Sequence, residues 1–147
     1  MIVDLMRNDL ARIARRGTVS VPVPGRLVSA PTIHHLEAVV TARLAPGLTL
    51  GAFLAAVCPG GSITGAPKRE VMTAIRAAEG RPRGYFMGHA FYLDDGGAFD
   101  SSILIRTLVK DGRNAYAFAA GSGIVTRSDP HRELAEIDAK CRVVTET

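Results

Sequence analysis

The sequence predicts an α+β domain in which antiparallel sheets are flanked by helices. Apolar residues recur at helical spacing near both ends of the chain, over residues 1–15 and after Asp129. Between these segments, successive strand-like runs are joined by turns such as Asp-Asp-Gly-Gly at 94–97, which is typical of a β-hairpin. Three consecutive strands joined by short turns indicate an antiparallel meander.

Length and composition favour one globular domain with a sizeable core, since the 147 residues are 47% apolar and 22% charged. No apolar run reaches the roughly 18 residues of a membrane span, and the N-terminus does not resemble a signal peptide. Cys58 and Cys141 lack metal-type spacing, so we expect a reduced, cytoplasmic setting. The net charge is only +4 and aromatic residues are few, so we expect no nucleic-acid partner and no membrane partner.

The first half of the chain is predicted to contain helices and strands in turn. Residues 1–15 have an apolar helical face, and Gly17 ends this helix. Met1 provides neither a cap nor a lead-in, so we expect the helix to continue upstream. The helix charges Asp4, Arg7 and Asp9 are interpreted as structural. Further predicted elements are an edge strand over 18–24, a long strand over 33–44 and a short helix over 48–57.

The long strand contains a histidine pair, His34 and His35. Successive side chains of a strand point to opposite faces, so at most one of the two rings can face a site. A histidine in a strand is also commonly a packed or exposed structural residue, and that alternative stays open.

Residues 58–68 read Cys-Pro-Gly-Gly-Ser-Ile-Thr-Gly-Ala-Pro-Lys, which predicts a shaped loop. Pro67 is suited to open the next helix, for which Val71, Ile75 and Ala78 form the predicted inner face and Gly80 the stop. A glycine-rich loop before a helix N-terminus suits an anion, although the spacing is not that of a P-loop.

The next predicted strands cover residues 84–93, 99–110 and 115–120. Arg106 lies in the second strand among Ile103, Ile105 and Leu108, and a guanidinium in such apolar surroundings requires a partner. The partner is either a buried protein carboxylate or a ligand carboxylate held by two parallel hydrogen bonds.

The segment from Ala119 to Lys140 joins a glycine pair to a helix. Gly121 and Gly123 follow a strand, Asp129 is a good N-cap, and Pro130 fits the first helical position. Two carboxylates and an ammonium line one helical face, which suits Mg²⁺ and an anionic substrate, although such a face is more often simply solvated. The residues of that face are Glu133, Glu136 and Lys140, and the adjacent apolar stripe is Leu134, Ile137, Cys141 and Val144.

Six stretches in the same order resemble the C-terminal part of the chorismate-using enzymes, the family of the anthranilate synthase and aminodeoxychorismate synthase large subunits. The resemblance covers essentially all of residues 1–147. It implies the α/β/β/α sandwich of anthranilate synthase component I, of which this chain would be one portion. The stretches are 1–10 (Met-Ile-Val-Asp-Leu-Met-Arg-Asn-Asp-Leu), His34-His35-Leu36, Pro59 to Lys68, Asp100 to Thr107, Gly121 to Val125, and Glu133 to Lys140.

The resemblance also implies residue roles. Glu136 and Glu133 would be carboxylates at a Mg²⁺ ion that holds the ring carboxylate of chorismate, and Lys140 would bind that same end. Arg106 would grip the enolpyruvyl carboxylate. The remaining implied roles are backbone N–H contacts from Gly121 and Gly123, a substrate contact from Ser62, and an active-site histidine at His35.

The sequence departs from the family pattern in two ways. The Pro-Ile-Lys/Ala-Gly-Thr motif, the general-acid glutamate and the other magnesium glutamate would fall upstream of Met1, so the chain would bind Mg²⁺ poorly and show little activity alone. Within the chain, Phe86 stands where relatives usually have a substrate-contacting tyrosine. Other replacements are Ala38, Phe91 and Ser122.

The form of the 58–68 loop favours aminodeoxychorismate synthase component I, whose reaction is Mg²⁺-dependent amination of chorismate. The nitrogen would come from a glutamine amidotransferase subunit or from ammonia, and the product would lead to para-aminobenzoate and folate. An anthranilate synthase segment and a non-catalytic remnant that binds chorismate or completes another chain are the alternatives.

Overall fold

The computed structural model describes residues 1–30, 34–110, 112 and 115–145, divided into two compact units, Met1–Arg81 and Pro82–Thr147. Helices and antiparallel strand pairs make up both units, which confirms the predicted α+β class. Unit 1 contains α1 (Ile2–Ala11), β1 (Ser20–Ser29), β2 (His34–Thr41), α2 (Leu50–Val57), α3 (Gly61–Thr64) and α4 (Lys68–Glu79). Unit 2 contains β3 (His89–Leu93), β4 (Phe99–Ile103), β5 (Leu108–Lys110), β6 (Tyr116–Phe118) and α5 (Pro130–Thr145).

Helix α1 ends at Ala11, so the predicted extent to residue 15 was wrong. The chain leaves the helix because its backbone pairs with the segment that follows β2. The Arg15 N–H donates to Arg43 O at 2.7 Å, and the Ala45 N–H donates to Ile13 O at 2.8 Å. Gly17 then turns the chain with a φ of +74°, a conformation that glycine adopts without a Cβ clash.

Strands β1 and β2 form an antiparallel pair with two register shifts, between Ser20 and Val23 and between Val23 and Arg26. The shifts bracket Pro22 and Pro24, and proline lacks the N–H that a regular ladder requires. β1 runs on to Ser29, beyond the predicted end at residue 24, because Arg26 pairs with Glu37 across the strands at 3.0 Å. The start of the long strand predicted over 33–44 lies partly outside the described residues.

Helix α2 begins one residue after Thr49, whose hydroxyl accepts a hydrogen bond from the Ala52 N–H at 3.2 Å. The 58–68 loop contains the single turn α3, which the sequence did not predict. Helix α4 starts after Pro67 and stops at Gly80 with a φ of +62°, as predicted. Of its predicted inner face, Val71 and Ile75 are half-buried, but Ala78 is exposed.

The carboxylate of Asp9, with its partner Lys68, connects four elements of unit 1. Its Oδ2 accepts the Gly61 N–H at 2.6 Å, and its Oδ1 lies 2.8 Å from Lys68 Nζ. Lys68 Nζ also donates to Ala56 O at 3.1 Å. The side chain of Asp9 is only 4% exposed and that of Lys68 15%. α1, the end of α2, the α3 turn and the start of α4 are therefore tied to one buried ion pair, which agrees with the structural interpretation of Asp9.

Unit 2 contains a tight hairpin between β3 and β4. Asp94 Oδ1 accepts the Ala98 N–H at 2.8 Å, and Gly97 adopts a φ of +83°, which confirms the predicted turn at 94–97. The start of β3 was predicted too early, because residues 84–88 form turns in which Gly84 and Met87 both have a φ of +62°.

The predicted strand over 99–110 is divided into β4 and β5, and this prediction was wrong. Between them the chain bends at Arg106, whose φ is +52°. Just before this bend, Leu104 pairs with the turn that precedes β3, because its N–H donates to Gly88 O at 2.8 Å. As a result, β3–β4 and β5–β6 are two separate two-stranded sheets rather than one meander.

The expected sizeable core is not present in the described part of the chain. Ile13 and Ala56 are the buried hydrophobic residues there, at 6% and 4% exposure. Large apolar side chains on both units are exposed to solvent, for example Leu36, which is 79% exposed, and Tyr92, which is 67% exposed. Since burial of apolar surface is the main stabilising term, the few buried polar contacts carry more weight than usual.

No single helix among the described residues is both long and apolar enough to cross a membrane. The segments Leu50–Thr64 and Lys68–Glu79 meet that criterion only when joined, across a bend of 60°.

The first prediction concerns Asp9. Asp9→Asn removes the counter-charge of a part-buried ammonium and should lower the free energy of unfolding by up to about 3 kcal/mol, the lower end of the range for breaking a buried pair, because Lys68 is 15% exposed. Urea titration followed by circular dichroism measures this change. Asp4→Asn is the matched control on the same helix. Asp4 is 71% exposed, and its loss should cost less than about 1 kcal/mol. Equal effects of the two substitutions would contradict the prediction.

Candidate functional site

Helix α5 begins at the predicted cap. Asp129 Oδ1 accepts the N–H groups of His131 at 2.8 Å and of Arg132 at 3.2 Å, and Pro130 is the first helical residue. This cap satisfies backbone donors that have no partner within the helix. It fixes where α5 begins, and so which residues face the glycine loop at 121–123.

Lys140 connects the charged face of α5 with that loop. Its Nζ lies 2.6 Å from Glu136 Oε1, one turn earlier, and donates to Gly121 O at 2.8 Å. The Lys140 side chain is 27% exposed, whereas that of Glu136 is 56% exposed. The structure thus brings together three of the predicted site residues, Gly121, Glu136 and Lys140.

Glu133 faces the same loop. The pKa of its carboxyl group is lowered below the ordinary glutamate value, first by Ser128, then by Ser122, with a smaller contribution from the charge of Lys140. Ser122 Oγ itself is buried without a hydrogen-bond partner of good geometry among the described residues. The Ser122 hydroxyl therefore lies close enough to influence Glu133 but does not complete a regular hydrogen bond to it.

The two glycines of the loop have different surroundings. A Cβ at Gly121 would lie 3.5 Å from the ring of Phe86 and 3.6 Å from the methyl group of Met87. At Gly123, no heavy atom of the other described residues, its two chain neighbours aside, lies within 4 Å of the corresponding position. The backbone at Gly121 is therefore packed against the side chains of Phe86 and Met87. Among the described residues, the space beside Gly123 is unoccupied, so a ligand can approach the backbone there.

Arg106 is exposed at the bend between β4 and β5. The prediction that it lies within an apolar strand and needs a buried partner was wrong. Its φ of +52° takes it out of the β region, and no ion pair to it occurs among the residues that the structure covers. No buried carboxylate among the described residues is therefore its partner, and the ligand carboxylate stays a prediction.

His35 and Ser62 belong to unit 1, whereas the other six predicted residues belong to unit 2. His35 is exposed on β2 opposite Val28. Ser62 is half-buried in the α3 turn, next to Gly61. Their implied roles stay predictions.

The apolar stripe predicted on α5 is only partly covered. Ile137 and Cys141 are half-buried, but Leu134 is 57% exposed and Val144 40%. Among the described residues, the stripe is therefore covered at its middle two positions and exposed at Leu134 and Val144.

Comparison with known proteins decides the family. A family model described as chorismate binding enzyme matches residues 1–146. The chain belongs to the chorismate-binding enzyme family. It is 46% identical over 136 residues to aminodeoxychorismate synthase component 1 of Klebsiella aerogenes, covering 92% of this chain and 30% of that protein. It is 41% identical over 145 residues to anthranilate synthase component 1 of Methanothermobacter thermautotrophicus, covering 98% of this chain and 31% of that protein.

A solved structure supports the same family assignment and the fold. The crystal structure of anthranilate synthase component I from Streptococcus pneumoniae matches 97% of this chain and 32% of that one, with 37% identity and a TM-score of 0.86. The chain therefore spans about a third of the length of these members of the chorismate-binding family.

The carboxylates of α5 fit a Mg²⁺ ion in part. Glu133 and Glu136 are one turn apart, and the lowered pKa of Glu133 keeps it ionised. No group of three or more histidine, cysteine, aspartate or glutamate side chains that could hold a metal occurs in the described ranges. Mg²⁺ in proteins is commonly bound by one or two carboxylates together with waters and oxygens of an anionic ligand, so a magnesium role for Glu133 and Glu136 stays a proposal.

The sequence did not predict that Asp9 and Lys68 form an ion pair that holds the Gly61 N–H next to Ser62. It indicated Asp9 as a structural charge and Lys68 as the end of the glycine-rich loop. The available signals were an acidic residue on an apolar helical face, Asp9, and a lysine at a helix start, Lys68. Neither residue alone indicates a partner 52 or more residues away.

The second prediction concerns Glu133. Ser128→Ala should raise the pKa of Glu133 toward its ordinary value, because the largest cause of its depression is removed. Ser122→Ala should raise it by a smaller amount. Carbon-detected NMR titration of the carboxyl group measures both shifts.

The sign of the pH effect follows from the lowered pKa. Glu133 contributes stability above the pKa of an unfolded glutamate, and this contribution is lost as the pH falls through the lower folded pKa. Ser128→Ala should bring the folded pKa of Glu133 closer to its unfolded pKa. The pH range over which this stability is lost should therefore become narrower. Ser102→Ala, on the exposed side of β4, is the control, and an equal shift in both variants would contradict the assignment.

Proposed function

We propose that this chain contributes the Arg106, glycine-loop and α5 portion of a chorismate site that supports amination to 4-amino-4-deoxychorismate. The observation that carries the proposal is the contact of Lys140 with both Glu136 and the Gly121 carbonyl, in a chain that matches the chorismate-binding family over residues 1–146. The site would bring an anion-binding loop beside two carboxylates.

The substrate carries two carboxylates, and the chain offers two places for them. The exposed guanidinium of Arg106 can hold one carboxylate through two parallel hydrogen bonds. The backbone N–H groups of the glycine loop, which has open space beside Gly123, would assist Arg106, and the second place is the proposed Mg²⁺ site of α5. Arg106 would take the enolpyruvyl carboxylate, as the family resemblance implies.

Lys140 has a positioning part in this proposal. By binding the Gly121 carbonyl it fixes that peptide group, whose N–H, on Ser122, points the opposite way in a trans peptide. The lysine thus orients the glycine loop, and its charge also raises the positive potential at the carboxylate end of the substrate.

Glu133 and Glu136 would hold Mg²⁺ together with the ring carboxylate of chorismate. When bound, the ion would neutralise that carboxylate and the acidic side chains around it. Glu136 would have to share its oxygens between the ion and Lys140, because its Oε1 already lies 2.6 Å from Nζ.

The overall reaction would replace the ring hydroxyl of chorismate by an amino group, with ammonia consumed and water released. A glutamine amidotransferase partner, or free ammonia, would supply the nitrogen. For unit 1, the family resemblance implies a proton-handling ring at His35 and a substrate hydroxyl contact at Ser62. Because the chain spans about 30% of its aminodeoxychorismate synthase relative, we expect the 147 residues alone to aminate chorismate slowly or not at all.

Anthranilate synthesis is a second candidate. The 41% identity to an anthranilate synthase component 1 over 98% of the chain favours it about as strongly. The two candidates differ in the product, since anthranilate synthesis would also release pyruvate. Assay of the chain with ammonia and the upstream portion of a relative would distinguish them.

The third prediction tests binding. Chorismate and MgCl2 together should raise the melting temperature of the chain, and either alone should have a smaller effect, since the proposed site shares the substrate carboxylate between ion and protein. Differential scanning fluorimetry with an external dye measures the shift. A melting temperature unaffected by the combination would remove the proposal.

The fourth prediction assigns residues within that site. Arg106→Gln should weaken chorismate binding by about tenfold or more, the effect of losing a charge-assisted contact, while Glu133→Gln should remove the Mg²⁺ dependence. Arg69→Gln, an exposed arginine of α4, is the matched control and should leave binding unchanged. Isothermal titration calorimetry reports all three variants, and equal losses at Arg69 and Arg106 would indicate only a general effect of charge.

A further inference from the structure

The 58–68 loop contains a backbone amide whose acceptor comes from a distant part of the chain. The Gly61 N–H opens the α3 turn, and Gly60, which precedes it, provides no side-chain cap. The acceptor is Asp9 Oδ2, at 2.6 Å and 52 residues away. A buried N–H needs a partner, so Asp9 does for this turn what an N-cap side chain does for an ordinary helix.

The Asp9 carboxylate is itself held from the other side. Lys68 Nζ binds Oδ1 at 2.8 Å and the Ala56 carbonyl at 3.1 Å. Both oxygens of Asp9 are therefore engaged, one by the loop backbone and one by the lysine that ends the loop. The side chain has little freedom to rotate, because either movement would leave a buried polar group unpaired.

Gly61 must approach Asp9 closely for this contact. A Cβ at Gly61 would lie 3.1 Å from Asp9 Oδ2 and 3.2 Å from Leu5 Cβ. A side chain there would require Asp9, Leu5 or the loop to shift by a few tenths of an ångström. The glycine, the aspartate and the lysine thus form one device, which we call the Asp9 clamp (Asp9, Gly61 and Lys68).

We propose that the Asp9 clamp fixes the backbone of Ser62, for which the family resemblance implies a substrate contact, so that Asp9 and Lys68 are positioning residues for Ser62 although neither needs to touch the ligand. Ser62 directly follows the clamped peptide, and its own backbone is part of the α3 turn. The importance of Ser62 rests on the proposed function, whereas the fixing of its backbone by Asp9 does not.

The test compares two double variants with the same charge. Asp9→Asn with Lys68→Met keeps an oxygen acceptor for Gly61, and Asp9→Leu with Lys68→Met removes it. We expect the Gly61 amide to exchange with solvent about 10- to 100-fold faster in the Leu variant than in the Asn variant, because a buried hydrogen bond is lost. Chorismate, added with MgCl2, should bind at least tenfold more weakly to the Leu variant.

Exchange is followed by NMR on the full chain, and the melting curve of each variant shows whether it folds. Equal Gly61 exchange in the two variants would overturn the clamp. Faster Gly61 exchange without any difference in chorismate affinity would limit Asp9 to a structural role and overturn the positioning inference. If wild type binds no chorismate with Mg²⁺, the proposed function fails, and the exchange rates still decide whether Asp9 holds the loop.

A second variant approaches the clamp from the loop and decides the matter if the Leu variant does not fold. Gly61→Ala leaves Asp9 and Lys68 unchanged but places a methyl group 3.1 Å from Asp9 Oδ2 and 3.2 Å from Leu5 Cβ, so we expect it to weaken the contact between the Gly61 N–H and Asp9. Gly51→Ala on α2 is its control, since no heavy atom lies within 4 Å of a Cβ there. Faster exchange of the Ser62 amide and weaker chorismate binding in Gly61→Ala alone would support the inference, and identical behaviour of the two alanine variants would overturn it.

Discussion

The buried carboxylate of Asp9 is the constraint on which unit 1 depends. Removing a carboxylate and an ammonium from water costs several kcal/mol per ion, and the pair offsets this only when the remaining hydrogen-bonding capacity is also used. Here it is used, since Asp9 also accepts the Gly61 N–H and Lys68 also donates to Ala56 O. With little apolar burial around it, this polar cluster determines how α1, α2, α3 and α4 are joined.

Unit 2 also contains a lysine–carboxylate pair that holds the backbone of a glycine-rich loop. Lys140 pairs with Glu136 and fixes the Gly121 carbonyl, just as Lys68 pairs with Asp9 beside the Gly61 amide. In each unit a lysine–carboxylate pair holds one backbone group of a glycine-rich loop. The difference lies in exposure, because the Glu136 side chain is 56% exposed and that of Asp9 only 4%. Solvent access leaves the Glu136 carboxylate available to a cation, whereas Asp9 is committed to the fold.

The sequence predicted correctly those features that are determined by residues close to one another in the chain. The Asp129 cap, the Gly80 stop and the 94–97 hairpin turn were all correct, because each depends on residues within a few positions of one another. Pairing between distant segments was not predictable. α1 ends early because Arg15 pairs with Arg43, and the 99–110 strand breaks because Leu104 pairs with Gly88. For the candidate site, the sequence placed Glu136, Lys140 and Gly121 in one segment, but it gave no indication that the Lys140 ammonium binds the Gly121 carbonyl or that Arg106 is exposed.

The scarcity of buried side chains also shapes the thermodynamics of the chain. The heat-capacity change of unfolding arises mainly from apolar surface that becomes hydrated. Since many large apolar residues in the described part of the chain are exposed, we expect a smaller heat-capacity change, and a flatter stability curve, than for a chain of this length with a full core. Hydrogen bonds and ion pairs would then contribute relatively more to folding than the hydrophobic effect, and cooling would weaken this chain less than a protein with a full core.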